Sequence, residues 1–311
     1  MNIIETSKLV KRYKQHTAVD KIDLDVREGE VFGLLGPNGA GKSTLIGMLV
    51  GTLKVTEGSV RVLGKDISRD SSSIKQDIGY VPQDLAFFEK LSAYDNVIYW
   101  GRLYGLRGPE LKAAVQEALE FTGLWERRKD TSENFSGGMK RRLNIACAIV
   151  HKPKLLFMDE PTVGVDPQSR NSILESIRKL NHNGTTVIYT SHYMEEVEAI
   201  CDRVGIMDFG KLIAIGTIDQ LVTETVKEEF ATIEINNMSL QLAEAIKRIP
   251  GVTYCDRNQN VLTIHVNPEI MSTIQLLEML ISKRIDIKAI NVEKPNLETV
   301  FLTLTGKKLR D

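Results

Sequence analysis

Three groups of residues in this chain have the types and spacing for phosphate chemistry. The first is Gly36-Pro37-Asn38-Gly39-Ala40-Gly41-Lys42-Ser43, followed by Thr44. It fits the pattern G-x-x-x-x-G-K-[ST]. Glycine at 36, 39 and 41 allows backbone angles that aim successive N–H groups inward. Such groups, together with a helix N-terminus, bind phosphate oxygens. Lys42 then reaches the β- and γ-phosphates of a nucleotide, and Ser43 offers a hydroxyl to Mg²⁺. The second group is Asp159-Glu160, which closes "LLFMDE" and leads into Pro161. These acids stand at the C-terminal end of a buried strand, the edge where open α/β sheets bind ligands. There Asp159 would orient Mg²⁺ or its water shell, and Glu160 would polarise an attacking water.

The third group lies in "NFSGGMKRR", Asn134 to Arg142. Met139, Leu143, Ala146 and Val150 recur at helical spacing, so a helix starts here. Ser136 suits its N-cap. Lys140, Arg141 and Arg142 crowd the first turns, which is unfavourable at a positive helix end unless an anion compensates. Ser136, Gly137 and Gly138 therefore read as a second phosphate site, with bare glycines permitting close approach. One chain then carries two phosphate-binding ends but one set of magnesium and water groups. A head-to-tail dimer resolves this. Each nucleotide is held by the phosphate loop of one subunit and capped by the Ser-Gly-Gly helix of the other, and a two-fold axis makes both sandwiches at once.

The elements that must position these groups follow from periodicity. "KIDLDV" alternates with Ile22, Leu24 and Val26 on one face. "EVFGLLG" is apolar without alternation and reads as a strand buried on both faces. A helix follows at Lys42, and residues from about 84 to 150 are mostly helical by period. "LLFMD", "TTVIYTSH" and "RVGIMD" are short apolar strands, and "GKLIAIG" reads as a closing strand. This is an α/β pattern with a largely parallel central sheet. Near residue 225 a new unit begins. Strands are expected at 230–235, 252–256, 261–266 and 286–292, with helices at 239–248 and 269–283. A short helix, "LETVFLTLTG", ends the unit. The order βαββαβ is that of a ferredoxin-like split βαβ unit.

Composition narrows the partners. The chain has 311 residues, so about two domains are expected. A net charge of −1 gives no broad basic field for nucleic acid or an acidic membrane. Cys147, Cys201 and Cys255 are scattered, neither a disulfide framework nor a zinc cluster, which suits a reducing cytoplasm. No stretch approaches the roughly 20 apolar residues that span a bilayer.

Taken in order, the motifs resemble those of the ATP-binding subunit of ABC transporters, and the resemblance covers residues 1 to about 222. "FSGGM" corresponds to that family's signature motif, usually Leu-Ser-Gly-Gly-Gln. Phe135 and Met139 depart from it, and Met139 removes a polar side chain next to the nucleotide. The resemblance implies further roles. Tyr13 resembles the aromatic residue that stacks on adenine, although a surface tyrosine on a strand is the plainer alternative. Gln83, in "IGYVPQD", resembles the glutamine that senses Mg²⁺ and the water. Asp166, in "VGVDP", resembles the acid of the D-loop, and His192 the switch histidine that contacts the γ-phosphate.

The family implies ATP and Mg²⁺ as ligands, with Gly36–Thr44, Tyr13, Ser136–Gly138 and Asp166 on the nucleotide. Ser43, Gln83 and Asp159 would serve the metal, and Glu160, His192 and Gln83 the chemistry. It implies a homodimer closed by ATP and a separate transmembrane permease, hence a site on the cytoplasmic face of the membrane. Asp84–Leu106 would line the permease groove. Phe87, Phe88, Tyr99 and Trp100 are candidate contacts, with Tyr99 and Trp100 equally readable as subdomain core. "LSAYDNVIYWGRLYGL", "SGGMKRRL", "TSHYMEEVEAICDRVGIMDFGKLIAIGT" and "KPNLETVFLTLTG" look like the type-2 drug and antibiotic exporters. The expected fold is a P-loop NTPase core with antiparallel β and helical subdomains (residues 1–222, helices about 84–150). A small C-terminal α+β domain, 226–311, would act on the dimer. Alternatives are a soluble ABC ATPase acting away from membranes, or an exporter of sodium, lipid or polysaccharide. A GTPase or metabolite kinase is disfavoured by the Ser-Gly-Gly helix.

Overall fold

A long hairpin opens the chain. Its strands β1 (Asn2–Tyr13) and β2 (His16–Arg27) bury alternate residues, as expected of strands with one face on a core. The buried strand β3 (Val31–Leu35) follows and leads into helix α1 (Lys42–Leu49). Next come β4 (Glu57–Val62), β5 (Lys65–Asp66), α2 (Ile67–Lys75) and β6 (Ile78–Val81). A helical stretch contains α3 (Ala93–Leu103), α4 (Gly108–Phe121) and α5 (Gly137–Ile149). The core then alternates through β7 (Leu155–Asp159), α6 (Pro167–His182), β8 (Thr186–Ser191), α7 (Met194–Ile200), β9 (Arg203–Asp208) and β10 (Lys211–Gly216). This computed structural model describes residues 1–236, 240–293 and 295–306.

The first compact unit, Met1–Thr217, holds two sheets. One is antiparallel, in the order β2-β1-β4-β5. The other runs β10-β9-β3-β8-β7-β6. Its strands are parallel except for β10, which closes the edge antiparallel to β9. Helix α1 packs against β2 and β4 of one sheet and β7 of the other. Leu45, Ile46, Met48 and Leu49 join one hydrophobic cluster with Ile4, Val62, Phe32 and Phe157. Because β3, β7 and β8 are neighbours and parallel, the loops that follow them leave the sheet at one edge. That edge carries Gly36–Thr44, Asp159–Glu160 and His192.

Helices α3, α4 and α5 pack on one another, and α5 also packs on β6 and α6. The buried amide of Asn96 pins the segment before α3. Its Oδ1 accepts from the Phe88 N–H at 2.8 Å, and its Nδ2 donates to the Phe88 carbonyl at 3.0 Å and to Ser132 Oγ at 3.1 Å.

The second compact unit starts at Ile218. Its elements are α8 (Ile218–Thr225), β11 (Glu229–Ile235), α9 (Leu240–Lys247), β12 (Val252–Asn258), β13 (Val261–Val266), α10 (Thr273–Ser282), β14 (Ile287–Glu293) and α11 (Leu297–Thr305). The sheet order β12-β13-β11-β14, antiparallel throughout, is the ferredoxin-like arrangement that βαββαβ implied. Its core gathers Ile233, Leu262, Ile264, Leu276 and Leu280. Helix α10 starts at Thr273, later than the expected 269, because Ser272 and Gln275 form a capping box. Ser239 of the expected first helix, Lys294 of the tail motif, and 307–311 of the expected second domain lie outside the described residues.

Candidate functional site

Glycine at two loop positions is dictated by backbone crowding. Gly41 has φ +102°, and a Cβ there would lie 2.4 Å from the Ala18 carbonyl. A Cβ at Gly36 would lie 2.4 Å from the Met207 carbonyl. The first contact also brings β2, two residues past the hairpin turn, against the loop, and Tyr13 pairs with His16 at that turn. Tyr13 is 44% exposed, with the Lys11 ammonium 5.0 Å from its ring centroid. Pro37 is half-buried, Asn38 and Gly39 are exposed, and Ala40 is buried. Ser43 is exposed and Thr44 half-buried in the first turn of α1.

Helix α1 has no side-chain cap, so its N-terminal N–H groups are free for an anion. Lys42 is buried, with 4% exposure. Its ammonium donates to the carbonyls of Gly36 at 2.7 Å and Pro37 at 3.2 Å, and lies 3.2 Å from Glu160 Oε1. A cation is thus held at the centre of the loop.

Glu160 is the meeting point of the site. It is 5% exposed and has φ +47°, a left-handed angle that is costly for a residue with a side chain. Gln83 Nε2 and His192 Nδ1 each lie 3.5 Å from its Oε2. Thr190, on the neighbouring strand, fixes both acids. Its Oγ1 donates to Asp159 Oδ1 at 2.7 Å and accepts from the Glu160 N–H at 2.9 Å. Burial, with the Asp159 and Asp84 charges nearby, pushes the Tyr80 phenol up to about 12, so it stays protonated beside the site.

The oxygen donors Ser43, Asp159 and Gln83 suit a hard cation. Among the described residues no group of three or more His, Cys, Asp or Glu could hold a metal. A metal here would complete its shell with phosphate and water oxygens, which is the habit of Mg²⁺.

The Ser-Gly-Gly helix begins as its spacing predicted. Ser136 caps α5, accepting from the Met139 N–H at 3.3 Å. The crowded cations, however, need no bound anion. Lys140 pairs with Glu89 at 2.8 Å. Arg141 donates to the Gln83 carbonyl at 2.7 Å, and Arg142 to the Thr122 carbonyl at 3.0 Å. Arg141 therefore locks the Gln83 segment to α5. Asn144 does the same by accepting from the Ala86 N–H at 3.0 Å.

Gly138 packs on the start of α6, where a Cβ would meet Ser169 Oγ at 2.3 Å. Asp166 is the exposed N-cap of α6. The Ser169 N–H bonded to its carboxylate at 2.9 Å holds its pKa below the usual value. Among the described residues, no hydrogen bond or ion pair joins Ser136–Gly138 to the Gly36–Thr44 loop. Phe88 and Tyr99 are exposed and meet edge to face at 4.9 Å. Phe87 and Trp100 are half-buried.

The sequence reading missed Thr190, Asn144 and the buried Glu196, and it singled out Arg141 without its bond to the Gln83 carbonyl. Each had a signal. Thr190 is a polar residue inside a buried apolar strand. Glu196 shares the apolar face of α7 with Val197 and Ile200.

Residues 19–163 match the family of ABC transporters. Over 99% of its length the chain is 44% identical to the whole of the linearmycin resistance ATP-binding protein LnrL of Bacillus subtilis (strain 168). It is 36% identical to the daunorubicin/doxorubicin resistance ATP-binding protein DrrA of Streptomyces peucetius, over 99% of this chain and 94% of that one. Among solved structures, the dimeric post-hydrolysis state of the ATP-binding cassette MJ0796 bound to ADP and Pi matches 69% of this chain and 98% of its own. Its TM-score is 0.64 at 25% identity.

Proposed function

The chain belongs to the ABC transporter family as an ATP-binding and ATP-hydrolysing subunit, and from that premise we propose how its residues work and what they drive. The observation that carries the proposal is the convergence of Lys42, Gln83 and His192 on the Glu160 carboxylate. ATP binds with its phosphates over Gly36–Thr44 and its adenine against Tyr13. Lys42 leaves Glu160 for the β- and γ-phosphates. Glu160, freed of that cation, orients and polarises the water that attacks the γ-phosphorus, while ADP leaves. Ser43, Asp159 and Gln83 would hold Mg²⁺, which when bound would supply charge neutralisation to the phosphates. His192 contacts the γ-phosphate, and its link to Glu160 ties that contact to the water.

A second copy caps the nucleotide with Ser136, Gly137, Gly138 and the Asp166 segment. Among the described residues no hydrogen bond or ion pair joins these residues to the phosphate loop of their own chain, which supports capping in trans. ATP is then part of the interface, so binding closes the dimer and hydrolysis reopens it.

The dimer drives a separate membrane-embedded permease, which would hold this subunit at the cytoplasmic face of the membrane. No helix among the described residues is long and apolar enough to cross a bilayer. The exposed Phe88 and Tyr99 near the Gln83 segment are proposed contacts. The unit from about 226 onward is proposed as an accessory to the dimer. The cargo is a drug, antibiotic or other hydrophobic compound, a class supported by the resistance relatives.

Glu160→Gln tests the site. It should lower turnover by at least about a hundredfold while ATP binding persists and the chain elutes as a dimer. A variant that binds ATP yet stays monomeric at saturating nucleotide would refute capping in trans. Co-purification from native membranes tests the export role. A stoichiometric polytopic membrane protein supports it, and ribosomal or repair proteins would refute it.

A further inference from the structure

Behind His192 lies a buried carboxylate that the reaction itself does not use. Glu196, on α7, is 3% exposed. Its Oε2 accepts from Tyr189 OH at 2.7 Å, Ser191 Oγ at 2.8 Å and Thr162 Oγ1 at 2.9 Å. Its Oε1 lies 3.2 Å from Arg170 Nε. A buried carboxylate is tolerated only when it is paired and hydrogen-bonded in this way.

Its partners come from three other segments, all attached to the site. Tyr189 and Ser191 end β8, the strand that delivers His192. Ser191 Oγ also accepts from the Tyr193 N–H at 2.9 Å, which fixes the turn carrying His192. Thr162 stands two residues after Glu160. Arg170 lies on α6, whose first residues follow Asp166. The Arg170 guanidinium covers the Tyr193 ring at 4.7 Å, and that ring touches the His192 ring at 4.2 Å. One side chain therefore fixes the histidine turn, the strand exit after Glu160 and the helix after Asp166 in a single arrangement.

We propose that Glu196 is a positioning residue for ATP hydrolysis: it holds His192 in register with the Thr162–Arg170 segment, so that the γ-phosphate contact and the segment facing the second subunit form together. The proposal rests on the role given above to His192. Its effect should appear in the chemical step and pass through His192.

The test uses the full-length chain with Mg-ATP. Glu196→Gln keeps the shape and removes the charge. It should lower kcat about tenfold, as small misplacements of reacting groups do, and leave KM for ATP within about twofold. In a double-mutant cycle with His192→Ala, the double variant should be no slower than His192→Ala alone, because coupled residues are not additive. If Glu196→Gln melts well below wild type, Arg170→Gln at the rim of the network takes its place in the cycle. Losses that multiply would mean a purely structural role and overturn the proposal. So would a wild-type kcat for Glu196→Gln beside a slow His192→Ala, leaving the role of His192 intact. A normal kcat for His192→Ala would instead refute the underlying role of the histidine, and the proposal with it.

Discussion

Gly137 and Gly138 are adjacent, but only Gly138 is a glycine for the sake of its own chain. A Cβ at Gly138 would collide with Ser169 Oγ at 2.3 Å, whereas at Gly137 the nearest atom outside its own helix turn, the Gly164 carbonyl oxygen, is 3.7 Å away. Neither has a positive φ. Gly138→Ala should therefore destabilise the monomer by about 1–3 kcal/mol, the usual cost of overpacking. Gly137→Glu should leave the melting temperature unchanged or slightly raised, since an acid suits a helix N-terminus. It should nonetheless abolish the ATP-dependent dimer, because the new carboxylate occupies and repels the phosphate position. Melting curves and size-exclusion elution with ATP separate the two effects. The sequence could not separate them. It marked both glycines, along with Ser136, as one anion site, and the packing of Gly138 on α6 depends on a contact 31 residues away in the chain. The same limit explains Glu196 and Thr190, whose polarity was visible but whose partners come from distant segments. The crowded cations misled for this reason too, since Arg141 spends its charge on the Gln83 carbonyl.

At the scale of elements, His151 joins the ends of α3 and α5 to the start of β6. Its ring lies 3.5 Å from that of Tyr104 with 3° between the planes, and its Nε2 donates to the Ile78 carbonyl at 3.0 Å. Burial lowers its pKa from 6.5 to about 4, so the folded chain keeps it neutral. The unfolded chain protonates it near 6.5. The folded state therefore has its full stability above pH 6.5 and loses it as the pH falls toward 4. The loss should reach about 2 kcal/mol by pH 5 by linkage. His151→Gln should weaken this acid dependence, and urea titrations at pH 7 and pH 5 would measure the difference. An equal loss in both proteins would place the sensitivity elsewhere. The helices joined here were legible from 3.6-residue periodicity, whereas the short strand β6 was not read from the sequence. The tie between them was not, because a histidine after a helix carries no local sign of what it will stack on.

Over the whole molecule, the proposed dimer follows from a mismatch that was already visible in the sequence. One chain has two helix starts that read as phosphate sites but one set of magnesium and water groups around Asp159-Glu160. The structure sharpens it, because among the described residues no hydrogen bond or ion pair joins the Lys42 loop to Ser136–Gly138 within one subunit. Two inactive variants can test this directly. Lys42→Ala disables the phosphate loop, and Gly137→Glu disables the cap. If capping acts in trans, a mixed dimer has one site carrying both lesions and one site carrying none. Equal mixing makes about half the dimers mixed, each with one intact site of two. The mixture should then recover about a quarter of the wild-type ATPase rate, while each variant alone stays inactive. If each chain instead closed its own site, every site in every dimer would carry one lesion and mixing would restore nothing.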